Sequence, residues 1–156
     1  MDSGGLMMTT RERLETLSDF LEHTVQPALD GAKFDMGRWG SAVSALPPRS
    51  TNVKRLSECG FAGRAVGWGY FCLELRKEGI PVEHGWGSKS LHVPLGYHGL
   101  ARFFGLDPAA AEWLFSPDSY EDWDQDPPID VVIARIRAAI TGEIPYLRDE
   151  DGSPWE

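Results

Sequence analysis

At 156 residues, with 42% hydrophobic and 25% charged side chains, the chain has the length and composition for one globular core. Its net charge of −9 sits almost wholly at one end: residues 117–156 hold 11 acids and three arginines, whereas residues 1–116 hold 13 acids and 12 lysines and arginines. That distribution excludes a broad basic footprint for duplex nucleic acid. The best apolar run is interrupted by Arg64 and Glu74, so no membrane span is expected.

Residues 1–8 read as a flexible leader without the apolar stretch of a signal peptide, which places the protein in the cytoplasm. Thr9 or Thr10 caps a first helix that reaches about His23, with Leu14, Leu17, Phe20 and Leu21 on one face. Pro27 and Gly31 end it. Residues 34–40 are too short and glycine-flanked for a helix, and read as an extended segment that pins Phe34, Met36 and Trp39 to the core. A basic, proline-bearing loop spans 41–58.

A central helix is then predicted from Gly60 or Phe61 to Lys77, stopped by Gly79 and Pro81. On such a helix Cys59 and Cys72 stand about 20 Å apart, too far for a disulfide, and two free thiols suit a reducing cytoplasm. Residues 79–95 form a long loop or a short hairpin ending in Ser90–Val93. Helices follow at Gly96–Phe104, from Asp107-Pro108 through Phe115, and from Ile129 to about Thr141 with Gly142 beyond it. The fold class expected is all-α or mostly α. It is a single domain over 9–142 of about five helices, with at most a short two-stranded element near 34–36 and 91–93, and residues 143–156 form an acidic mobile tail.

Gly60, Gly63 and Gly67 are spaced three and four apart, on one face of the predicted central helix, where each costs about 1 kcal/mol against alanine. Two reasons for them stay open: close approach of another backbone, or room for a ligand at a helix start whose N–H groups favour anions. The order required of a Rossmann or Walker loop is absent.

The elements Phe34-x-Met36-x-x-Trp39, Cys59-Gly60 running to Gly67-Trp68, and Phe103–Leu106 with Glu112–Phe115 give the chain a family likeness. It resembles a largely uncharacterised group of small phage and bacterial proteins with F-x-M-x-x-W and C-G-x-x-x-x-x-x-G-W motifs. The likeness covers roughly residues 30–140. It implies a phage or bacterial origin and transfers no activity. Phe61 replaces that group's usual threonine and Arg64 its second cysteine, so a two-cysteine metal or redox pair does not carry over.

Chemistry-bearing residues are few. Cys59 at a helix start, with His84, His92 or His98, is either a nucleophile or a small buried hydrophobe. No zinc-ligand spacing occurs, and neither a metal nor a cofactor is expected. The reading chosen is binding without catalysis: an anionic, phosphate-bearing small molecule, a nucleotide among the candidates, held at the central helix start. Arg49, Lys54, Arg55 and Arg64 hold its charge beside Gly60 and Gly63, and Trp39 and Trp86 stack on it. The alternative is an acidic interaction factor of inhibitor or immunity type, using residues 117–126 and 149–156 against a basic protein partner.

Overall fold

The computed structural model describes residues 8–29, 33–35, 39–42, 53, 56, 60–84, 90–117, 120 and 127–142. The leader before residue 8, most of the basic 41–58 loop and the tail after 142 lie outside these described residues.

Helix α1 (Thr10–Phe20) starts where a threonine can satisfy its free N–H groups. The Thr9 hydroxyl accepts from the Glu12 N–H, and the Glu12 carboxylate accepts from the Thr9 N–H, closing a capping box. The helix runs on through a π-helical turn at Leu21–Val25 and a 3-10 turn at Gln26–Ala28. Its inward residues Leu14, Leu17, Leu21 and Val25 are fully buried.

The mostly-α expectation is corrected by the sheet. Among the described residues five strands, each of two or three residues, run in the order β1 (Lys33–Phe34), β3 (Ala62–Gly63), β2 (Gly40–Ser41), β5 (Ser90–His92), β4 (Glu83–His84). β1 and β3 are parallel, and the other pairs are antiparallel. The two segments expected to form a strand pair are both strands but do not pair with each other. β2 and β3 stand between them, built on glycine, which carries no strand signal.

The single central helix is also corrected. Gly60 turns in the left-handed region (φ 66) and Gly63 lies in β3, before two short helices, α2 (Ala65–Gly69) and α3 (Leu73–Lys77). A continuous helix would have carried four glycines within ten residues, and the chain avoids half of that cost by placing two of them outside helix. Cys59 and Cys72 therefore do not share one helix. Cys72 is a free buried thiol, and Cys59 lies outside the described residues.

The close-approach reason for the glycines operates at Gly63 and Gly67. A Cβ on Gly67 would overlap the Trp39 carbonyl, and one on Gly63 would stand 3.0 Å from the same oxygen. The backbone of Trp39–Gly40 therefore lies flush against β3 and α2. Above it Phe61 meets Trp68 and Phe71 edge-on at 4.7 and 5.4 Å, and the Trp68 indole donates to the Lys33 carbonyl at 3.2 Å.

α4 (Gly96–Phe104), α5 (Pro108–Phe115) and α6 (Ile129–Ile140) fall where the apolar spacing placed them. Asp107 caps α5 by accepting from the Ala109 N–H at 2.8 Å. Entry to α4 is strained: Leu95 takes the left-handed conformation (φ 67) while 72% exposed, at a cost of about 1 kcal/mol. α6 lies antiparallel to α1, with the Arg11 guanidinium near the Ile140 carbonyl and Arg137 beside Asp19 and Glu22.

One half-hidden ion pair ties α1 to the helices behind it. Arg13 Nη2 and Nε donate to Glu78 Oε1 at 2.8 and 3.2 Å, Nη1 donates to the Phe103 carbonyl, and the guanidinium lies 4.3 Å over the Phe103 ring. The Met8 N–H donates to the same carboxylate oxygen at 2.7 Å. Burial alone would raise the Glu78 pKa; the Met8 hydrogen bond and the Arg13 hydrogen bonds and charge outweigh it and hold the carboxyl below its ordinary value.

Candidate functional site

Arg64 stands between β3 and α2, with the extended backbone of a helix-capping residue (φ −81, ψ 176). Its side chain turns inward and is 93% buried, at 7% exposure. Nη1 donates to the Tyr97 hydroxyl at 2.8 Å and to the Phe115 carbonyl at 3.2 Å. The guanidinium lies 4.0 Å over the Trp39 ring, which meets Tyr97 at 5.5 Å between centroids. Nε is buried and has no acceptor among the described residues.

Each neighbour is placed by the fold. Trp39 is fixed because its backbone packs on Gly63 and Gly67. Tyr97 is the second residue of α4, swung toward the sheet by the tight turn in which the Gly96 N–H donates to the Val93 carbonyl at 2.9 Å. The Phe115 carbonyl belongs to the last turn of α5, where carbonyls lack helical partners and the dipole favours a cation.

Ring and hydrogen bonds offset the burial cost of Arg64, but no opposite charge among the described residues does. Burying a guanidinium costs several kcal/mol unless a carboxylate compensates. Here a ring contact contributes about 1–2 kcal/mol and two hydrogen bonds from a charged donor about 1.5–3 kcal/mol each. Among the described residues no carboxylate reaches Arg64. The arrangement is fit to hold a cation in place and leaves that cation without a counter-charge.

Of the residues expected at the site, the structure brings together Trp39, Gly63 and Arg64. Gly60 serves the turn before β3 and does not line the cluster. The space beside Gly63 and Gly67 is filled by the Trp39–Gly40 backbone. Arg49, Lys54, Arg55 and Trp86 lie outside the described residues, as do Cys59, Met36 and most of the acidic stretch 117–126. Tyr97 and the Phe115 carbonyl escaped the sequence reading, since nothing in a tyrosine 33 residues away, or in a helix end, marks a partner for arginine.

Cys72 is no nucleophile at neutral pH. Burial pushes its thiol up to about 11 and the Glu74 carboxylate adds to the rise, against the lowering effect of backbone hydrogen bonds. Tyr120, in the acidic stretch, donates to the Leu114 carbonyl at 2.7 Å and packs on the Arg135 guanidinium at 3.7 Å; burial raises its pKa despite that cation. Among the described residues no cluster of three His, Cys, Asp or Glu side chains could hold a metal ion, and no helix is long and apolar enough to cross a membrane. An open groove of about 420 Å³ between the turns that follow α1 and helix α6 includes Glu22, Gln26, Asp130 and Arg137, where Arg137 is already neutralised by Asp19 and Glu22.

Comparison of the chain with protein-family models, with curated proteins and with solved structures finds no match in any of the three. The likeness to small phage and bacterial proteins therefore rests on its motif residues alone.

Proposed function

We propose that the protein is a non-catalytic binding module that captures an anionic small molecule at Arg64, where β3 passes into α2. One observation carries the reading: a guanidinium 93% buried, with an orphaned Nε and no carboxylate among the described residues to balance it. Native proteins compensate buried charge, and an anion arriving from outside supplies what the interior lacks here. The ring of Trp39 and the hydroxyl of Tyr97 hold the cation still, so little ordering is left for the binding step. A phosphate-bearing ligand, nucleotides included, suits a guanidinium flanked by aromatic rings. A reducing cytoplasm suits the free thiol of Cys72.

The test is thermal unfolding of the whole chain against inorganic phosphate, pyrophosphate, acetate and a nucleotide panel. A ligand at 100 times its dissociation constant adds about 2.7 kcal/mol. In a chain of this length that raises Tm by several degrees. The rise is expected for at least one anion in the wild type and is lost in Arg64→Met. A flat response to every anion, or a rise that survives in Arg64→Met, overturns the reading.

A further inference from the structure

Arg64 does not offer its whole guanidinium to a ligand. Nη1, the nitrogen cis to Cδ, is used by Tyr97 and Phe115. The opposite edge, Nε with Nη2, donates to no described residue, and Nε is sealed from solvent. That edge is the one on which two N–H bonds run side by side, the geometry that grips two oxygens of a carboxylate or phosphate.

The chain itself shows what such an edge takes. Arg13 is held in the same way, with Nη1 on a helical carbonyl and the plane of the guanidinium over an aromatic ring, and its Nε and Nη2 both close on one oxygen, Oε1, of the Glu78 carboxylate. Arg64 reproduces the carbonyl and the ring and, among the described residues, lacks the carboxylate. We propose that the Nε–Nη2 edge of Arg64 is a fork that receives, side-on, a terminal oxyanion with two free oxygens, either a carboxylate or a phosphate. Tyr97 and Trp39 act as positioning residues that fix the rotation and the plane of the fork. The proposal rests on the anion-binding reading above and adds to it the donor pair and the shape of the group received. Because Nε is sealed, the entering group must displace its cover in the plane of the guanidinium, while the Trp39 ring stays on the face.

The experiment follows the Arg64 Nε–H cross-peak in ¹⁵N–¹H spectra of the full chain, identified by its loss in Arg64→Lys. Acetate and inorganic phosphate are added in separate titrations, with ionic strength held constant by chloride. The fork predicts a saturable downfield shift of that peak with at least one probe, and the tighter of the two assigns the ligand's group as carboxylate or phosphate. Arg64→Lys keeps the charge without the fork and is expected to lose saturable binding while the rest of its spectrum stays folded. Tyr97→Phe keeps the ring, frees the guanidinium to rotate and is expected to weaken binding about tenfold. Saturable binding with an unmoved Nε–H peak, or with affinity retained in Arg64→Lys, overturns the fork and leaves Arg64 as a point charge. No saturable binding of either probe to the wild type overturns the anion reading and the fork with it.

Discussion

Arg13 and Arg64 are built alike and differ at one edge of the guanidinium. Both lie over an aromatic ring and donate Nη1 to a carbonyl of a helix's last turn, yet among the described residues only Arg13 has a carboxylate on its remaining edge. Arg13, at 11% exposure, knits α1 to α3 and α4 through Glu78, itself 5% exposed. Its charge is fully accounted for inside the chain, so it reads as structure. Arg64 is more deeply buried and, among the described residues, has no carboxylate, the difference on which the proposed anion site rests. Burial alone does not separate the two roles; the satisfied or empty donor edge does.

The largest expected effect breaks the Arg64 side only. Gly67→Ala gains about 1 kcal/mol of helix propensity in α2 but drives a methyl group into the Trp39 carbonyl, a backbone atom that cannot turn away. The clash wins, and a net loss of about 3 kcal/mol or more is expected from the urea midpoint. Amide exchange should show protection lost across β2, β3 and α2 while α1 and α6 keep theirs. A variant as stable as the wild type would mean that Trp39 is not seated by that contact.

Next in size, Glu78→Ala turns Arg13 into a second Arg64. It strips the carboxylate from a partly buried guanidinium and from the Met8 N–H, for an expected loss of about 2 kcal/mol. Added acetate should restore part of that loss, and failure to do so would weaken the parallel between the two edges. The pair also sets a pH dependence. The Glu78 carboxyl titrates below its ordinary 4.5 in the folded chain, so its contribution is complete above that value and is lost as pH falls through the lower, folded one. In Glu78→Gln this part of the acid limb should flatten, a smaller effect read from Tm between about pH 5 and 3.

How far this contrast was legible in sequence follows from its reach. Local signals spoke clearly: Thr9 with Glu12 gave the start of α1, Asp107-Pro108 that of α5, and the Val132, Ile133, Ile136 spacing gave α6. The sheet was harder, because two-residue strands such as Gly40–Ser41 and Ala62–Gly63 show no alternation and are held by partners far along the chain. Glycines at Gly60, Gly63 and Gly67 marked the place without revealing their work; one turns the chain, and the others admit a backbone from 24 to 28 residues away. Arg64 stood out as a cation near a predicted helix start. What makes it unusual, burial against Tyr97 and Phe115 from two later helices, is a tertiary property that no window of sequence contains.

The smallest expected effect is the one that divides the two arginines most sharply. Arg64→Met fills the same channel with an apolar chain. It forfeits the ring contact and leaves the Phe115 carbonyl and Tyr97 hydroxyl without their donor, but it also removes an uncompensated buried charge. Those terms oppose one another, and the net loss expected is under about 1 kcal/mol. Arg13→Met has no such relief, since it strands the Glu78 carboxylate, and should lose at least twice as much under the same conditions. The two variants belong in one urea series at neutral pH without added anion. If Arg64→Met loses as much as Arg13→Met, the ring, the hydroxyl and the carbonyl already suffice for Arg64, its empty edge is a tolerated defect, and the case for an outside oxyanion loses its energetic footing. If it loses little while anion binding disappears, the stability that Arg64 forgoes is the measure of a residue kept for recognition.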